Sequence, residues 1–165
     1  MGSTVIDVSI SITHDTGAVN AIIRHPKVYP YISDDHSPEA KDYDCFELME
    51  SAGAWFLLVK PGPLGVFCVH AHTRSICEIH TCLLPIARGR AREIGLKVVE
   101  FVFENLPCEK LITWVPEDNR LARKLALDVG MREEGFSPKS WRKGGRMLGR
   151  YLLGIEKDRV CQSQR

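Results

Sequence analysis

Arginines stand at alternate positions, Arg88, Arg90 and Arg92, around Gly89 and Ala91, just after Pro85. An apolar set at helical spacing continues from them: Ala91, Ile94, Val98, Phe101, Val102 and Leu106. The arginines therefore crowd a helix N-terminus, where the dipole is positive and each cation costs about 0.3–1 kcal/mol. Glu93 offsets only part of this. The arrangement makes chemical sense if an anion sits in the turn, held by free N–H groups and guanidinium forks together. Upstream, Glu78 and His80 lie two residues apart in the run Ile76 to Leu83 and so share one strand face. Either side chain is a competent general base, and a carboxylate on a core strand is costly without a purpose or a partner. If the turn Thr73-Arg74-Ser75 centres on Arg74, His70 lies opposite Glu78; if the turn is two residues wide, it does not. His70, His72 and His80 also admit a metal reading, since His70-x-His72 places two imidazoles on one face. Only Glu78 or a cysteine offers a further ligand, so no metal is expected.

The elements that must hold these groups follow from the pattern of apolar residues and breakers. Thr4 to Ile12 reads as a strand, Ala18 to Arg24 as a helix, and His25 to Glu47 as a long irregular connection with room for a short helix. That connection carries Pro26, Pro30, Pro38 and three tyrosines; loops of this length are usually functional or mobile. Trp55 to Val59 and Gly65 to His72 are strands around the turn Pro61-Gly62-Pro63, and a hairpin leads into the strand from Ile76. After the central helix come a strand Lys110 to Val115, a helix Asn119 to Val129 stopped by Gly130, and strands Gly135 to Arg142 and Met147 to Ile155 joined at Lys143-Gly144-Gly145. The tail from Lys157 is polar and expected to fray. The order is that of a mixed sheet with helices against it, α/β or α+β, in one domain over residues 1–165.

Composition removes several classes of function. The apolar and charged fractions, 44% and 26%, are those of a soluble globular chain. No apolar run approaches the ~20 residues of a membrane span, and no signal sequence opens the chain. The six cysteines form no C-x-x-C pair, and three lie in strand-like apolar runs, so buried free thiols in a reducing compartment, the cytoplasm, are expected. Residues 1–87 carry 5 Lys/Arg against 10 Asp/Glu, and residues 88–165 carry 17 against 11. The basic half begins at the arginine loop, as an anionic ligand requires. Nucleic acid is the weaker explanation, because Glu117, Asp118, Asp128, Glu133 and Glu134 interleave with the arginines and lysines there.

The succession of strand, Arg/Gly loop and helix, then VPEDNRLARKLALDVGM, resembles the GNAT superfamily of acyl-CoA-dependent N-acyltransferases. The resemblance spans residues 52–155 and is strongest over 78–131. Pro85 and Arg88 match the family's loop, although Ala91 takes its first glycine position and Glu93 its second small residue. Asn119, Ala122, Leu125 and Gly130 match the next element, with Met131 in place of phenylalanine. The wording HTCLLP-x-ARGRA, VP-x-x-NR and KGGRM resembles a branch carried by bacteriophages, which implies the host cytoplasm.

The resemblance implies a mixed, mostly antiparallel sheet splayed between the fourth and fifth strands. It implies acetyl-CoA or another acyl-CoA as cofactor, with Leu83 and Leu84 meeting pantetheine. Arg88, Gly89, Arg90, Ala91 and Arg92 would meet the pyrophosphate, and Asn119 the pantetheine side; Asn119 is also an adequate N-cap for its helix. An amine acceptor of unknown identity would attack the thioester directly, with Glu78 or His80 as base, and residues 25–47 would form the acceptor side. A homodimer is compatible with this picture. Ala126 occupies the position where many members carry the tyrosine proposed to protonate the departing thiolate, which leaves Tyr151 or a water for that role. Glu93 weakens anion binding unless it pairs with Arg90 or Arg92. A GNAT-fold protein of a phage that binds or assembles without catalysing is the alternative.

Overall fold

The computed structural model describes residues 7–162. Its strands are β1 (Ser9–Thr13), β2 (Ala54–Lys60), β3 (Gly65–Ala71), β4 (Ile76–Leu83), β5 (Lys110–Pro116), β6 (Arg132–Lys143) and β7 (Arg146–Glu156). The helices are α1 (Thr16–Ile23), α2 (Tyr29–Ile32), α3 (Phe46–Glu50), α4 (Ala91–Asn105), α5 (Arg120–Asp128) and α6 (Lys157–Gln162), with 3₁₀ turns at Ala40–Asp42 and Pro85–Arg90. All seven strands join one sheet in the order β1-β2-β3-β4-β5-β7-β6. Every neighbouring pair is antiparallel except β4 and β5, which α4 connects in parallel.

Both faces of the sheet are covered, which is why β2 and β3 read as nearly unbroken apolar runs. Leu57, Val59, Phe67 and Val69 face α4 and pack with its Ile94, Val98 and Val102. Phe56, Val66, Cys68 and Cys82 face the other way, against Val19, Ile22 and Ile23 of α1. Each such aliphatic or aromatic side chain contributes about 1.5–3 kcal/mol when fully buried, so the two layers clamp the sheet from both sides. Gly95 lets α4 approach α5, since a Cβ there would meet Val129 Cγ1 at 2.7 Å. Gly130, at φ 96°, ends α5 as its position implies.

The expected elements are present, α3 is added where none was assigned, and three further differences stand out. Residues 85–90 form a 3₁₀ turn rather than an open loop. Residues 157–162 form α6 where fraying was expected; Lys157 N–H donates to the Glu109 carbonyl and fastens the start of that helix to the sheet. The strand expected from Thr4 begins at Ser9, and Thr4 to Ile6 lie outside the described residues. The connection 25–47 is ordered by α2 and a 3₁₀ turn. Buried Asn20 ties its end down, donating to Asp44 at 2.9 Å and accepting from Cys45 N–H at 2.9 Å.

Candidate active site

The sheet opens where β4 and β5 part. Their ladder holds only from Ile76 opposite Lys110 to Glu78 opposite Ile112. Just beyond, Thr113 Oγ1 donates to the Ile79 carbonyl at 2.9 Å, a side chain bridging where backbone pairing ends. A cavity of about 740 Å³ occupies the opening. Because its walls include Glu78, His80 and Cys82 on one face and Ala91, Gly95 and Val98 on the other, it reaches through the sheet from the α1 side to the α4 side.

On the α1 side the hairpin centres on Arg74, so His70 is the cross-strand partner of Glu78, and Cys68 that of His80. Glu78 Oε1 lies 3.3 Å from His80 Nε2, while Oε2 lies 4.0 Å from His70 Nε2 and 3.9 Å from His72 Nδ1. The His70 and His80 rings stack at 5.4 Å with their Nε2 atoms 3.2 Å apart. One imidazole must donate to the other, because two acceptors cannot share that contact. Burial pushes His80 below the usual histidine pKa, with Glu78 opposing the shift and His70 adding to it. A neutral imidazole beside a carboxylate can take a proton at neutral pH. Of the histidines weighed for metal, His70 and His80 rather than His72 join Glu78: ligand atoms of these three lie within 4.8 Å of one another, a spacing that could hold a cation.

The three arginines have different fates. Arg90 makes two hydrogen bonds to Glu93, at 2.9 and 2.8 Å, and does not line the cavity. This is the pairing that a carboxylate in the loop requires. Arg88 lines the cavity but donates to the Lys27 carbonyl and lies over the Tyr31 ring, 5.8 Å from its centroid. Arg92 lines the cavity with no ionic or hydrogen-bonded partner among the described residues. Ala91 and Leu83 also line it; Gly89 and Leu84 do not. The Leu84 N–H is engaged by the Leu64 carbonyl at 3.0 Å. Asn119 lines the cavity and caps α5, accepting from Ala122 N–H at 3.1 Å. No side chain caps the start of α4.

Residues 25–47 close the α1 side, contributing Lys27, Tyr31, Ile32 and Tyr43 to the lining. They are clasped to the β6–β7 turn: the Asp35 carboxylate accepts from Gly144 and Gly145 N–H at 2.7 and 2.8 Å, and Lys143 Nζ donates to the Pro30 carbonyl at 2.6 Å. The facing wall holds residues that the sequence did not assign to this site. Pro138 lies where the register of β6 shifts between Ser137 and Trp141, and the irregularity presents Trp141 to the cavity. Arg150, half-buried, reaches over Trp114 and Trp141 at 5.2 and 5.7 Å and donates to Ser140 Oγ at 3.2 Å. A proline inside an expected strand was the available signal for this irregularity.

Five cysteines, Cys45, Cys68, Cys77, Cys82 and Cys108, are free and buried. Cys68 and Cys82 line the cavity, and burial pushes both thiols up to about 12. Ala126 is buried on the α4 side of the lining. Tyr151 lies outside the lining, beneath the Arg123 guanidinium at 4.1 Å and against Phe136. The phenols that do reach the cavity are Tyr31 and Tyr43. No helix among the described residues is long and apolar enough to cross a membrane.

A sheet of this order, parted beside a helix that begins at the opening, is the GNAT fold. The spermidine N-acetyltransferase from Vibrio cholerae in complex with CoA and spermine superposes with a TM-score of 0.77 at 15% identity, covering 93% of this chain and 98% of that one. A GNAT-family acetyltransferase from Bacillus anthracis gives 0.70 at 18% identity, covering 92% and 95%. No protein-family model matches the sequence, and no curated protein matches it.

Proposed function

We propose that the protein is an acyl-CoA-dependent N-acyltransferase in which the pantetheine arm threads the opening between β4 and β5. The single observation that carries this is the cavity through the parted sheet, with Arg92 at the start of α4 in its lining on one side and the Glu78–His80 pair on the other. Arg92 and the N-terminal end of α4 would meet the pyrophosphate, and the edge of β4 near Leu83 the pantetheine. The Vibrio cholerae neighbour, bound to CoA and an amine, supports the same reading. Bound acyl-CoA supplies the activated thioester. Glu78 and His80 then hold the acceptor on the α1 side and remove its ammonium proton, directly or through a water, so that the neutral amine attacks in a direct ternary complex. With Ala126 unable to donate, Tyr43 or a water is left to protonate the thiolate; burial raises the Tyr43 pKa, which makes the phenol a weaker acid and favours the water.

A panel of acyl-CoAs in a thermal-shift assay, followed by amine screening with the most stabilising one, tests the reading, because a ligand selective for the folded state must raise Tm. Absence of calorimetric binding at millimolar coenzyme A refutes it. Ala126 favours a second reading, a GNAT-fold binding or assembly protein of a phage, which would bind acyl-CoA without turnover. The buried free thiols support a reducing compartment, the host cytoplasm if the protein is phage-encoded.

A further inference from the structure

We infer that the acceptor is a small zwitterion, a primary amine and a carboxylate in one molecule with an apolar or aromatic body, and that Arg150 takes the carboxylate. The inference rests on the acyltransferase reading and concerns the α1 side of its cavity. Arg150 pairs with Pro116 across β7 and β5, and Trp114 pairs with Leu152. Val115 and Leu153 face the α4 layer, so the alternating Trp114 and Arg150 face the same side as Glu78 and His80. The guanidinium meets two indole rings and one hydroxyl, leaving most of its five donors without a protein acceptor, and it has no carboxylate partner among the described residues. A fork held between two aromatic planes is preorganised for a carboxylate.

Charge around it agrees. The lining contains two carboxylates, and one of these, Asp128, accepts from Lys124 on the α4 side. Glu78 is left to face Lys27, Arg88 and Arg150. A polyamine with several cationic centres would meet like charge here, whereas one ammonium at Glu78 and one carboxylate at Arg150 would each meet its opposite. Spacing agrees as well. Ile112 stands level with Glu78, and Trp114, under the guanidinium, is two residues further on, roughly 7 Å along the strand. An amine and carboxylate of one amino acid, each extended by a hydrogen bond, span about that distance. The remaining wall, with Tyr31, Tyr43, Leu48 and Trp141, suits an apolar body.

The test compares matched pairs: phenylalanine with phenethylamine, and tryptophan with tryptamine, alongside spermidine, by thiol release from acetyl-CoA. The amino acids should exceed their decarboxylated twins in kcat/KM by at least tenfold. Arg150→Gln should lower kcat/KM for phenylalanine about ten- to a hundredfold more than for phenethylamine, through KM, the loss of one charge-assisted contact. Arg150→Lys should recover part of it. Equal use of both twins, a preference for spermidine, or equal losses on both twins in Arg150→Gln overturns the inference. If no thiol is released, calorimetric binding of phenylalanine and phenethylamine to native and Arg150→Gln protein decides it by the same differences. Calorimetry with coenzyme A alone judges the acyltransferase reading separately.

Discussion

The sharpest prediction concerns three adjacent charges. Arg92→Ala, Arg90→Ala and Glu93→Gln should shift coenzyme A affinity by different amounts and in opposite directions. Arg92 faces the cavity without a partner. If it donates to a phosphate, its loss removes a charge-assisted hydrogen bond of about 1.5–3 kcal/mol, a roughly 10- to 150-fold weakening. Arg90 already gives two donors to Glu93 and lies outside the cavity. Its removal unmasks a carboxylate whose repulsion of a phosphate at ~8 Å in water-like surroundings is about 0.5 kcal/mol, so the weakening should stay within about threefold. Glu93→Gln frees Arg90 and deletes the negative charge, and affinity should rise, by about two- to tenfold. Titration calorimetry with coenzyme A, at low salt and again at high salt where exposed charges are screened, reads all three. An Arg90→Ala loss as large as that of Arg92→Ala, or weaker binding in Glu93→Gln, would refute this division of roles.

Glu78→Gln should lower turnover by roughly 10²–10⁴-fold while leaving coenzyme A affinity unchanged; a drop in Tm with turnover intact would instead make Glu78 a strut for the hairpin. Asn119→Ala removes the α5 cap and should cost about 1 kcal/mol, or 2–4 °C in Tm; a large accompanying loss of coenzyme A affinity would add a ligand contact. Burial raises the Cys68, Cys82 and Cys108 thiols from 9.0 to about 12. Folded-state pKa values above the unfolded ones mean that this stability is present in full below pH ~9 and is lost as pH rises toward 12, by up to about 1.4 kcal/mol per thiol per pH unit. Denaturant titrations at pH 8 and 10 check it, and equal midpoints would contradict it. Native protein should react slowly with a thiol reagent and all six cysteines should react once denatured; mass spectrometry finding two or more intramolecular disulfides would overturn the reading of free thiols.

The spine of the fold was legible because its signals are local. Pro85 and the apolar spacing from Ala91 mark β4 and α4, and Asn119 and Gly130 bracket α5. What the sequence left open depended on register and on side-chain direction. Whether His70 meets Glu78 turned on one residue of hairpin width. Which arginine faces the cavity turned on Glu93 capturing Arg90. Leu83 and Leu84 were equivalent as letters, yet the Leu84 N–H is engaged by Leu64, a contact made across the turn after β2. The place of Arg150 was illegible because cross-strand pairing of β7 with β5 sets it by Trp114, and the irregularity of β6 brings Trp141 to it.

The two thiols in the cavity wall bear on selectivity among nucleophiles. A thioester held in the opening would lie close to Cys68 and Cys82, and sulfur attacks thioesters readily, but only as thiolate. Moving a thiol from 9.0 to about 12 cuts its thiolate fraction at neutral pH by about a thousandfold. The same strand face that buries these sulfurs also holds, nearer solvent, the carboxylate and imidazole that would take the amine's proton. Burial alone would thus suppress self-acylation and leave the acyl group for the acceptor, with no need to remove the cysteines from the wall.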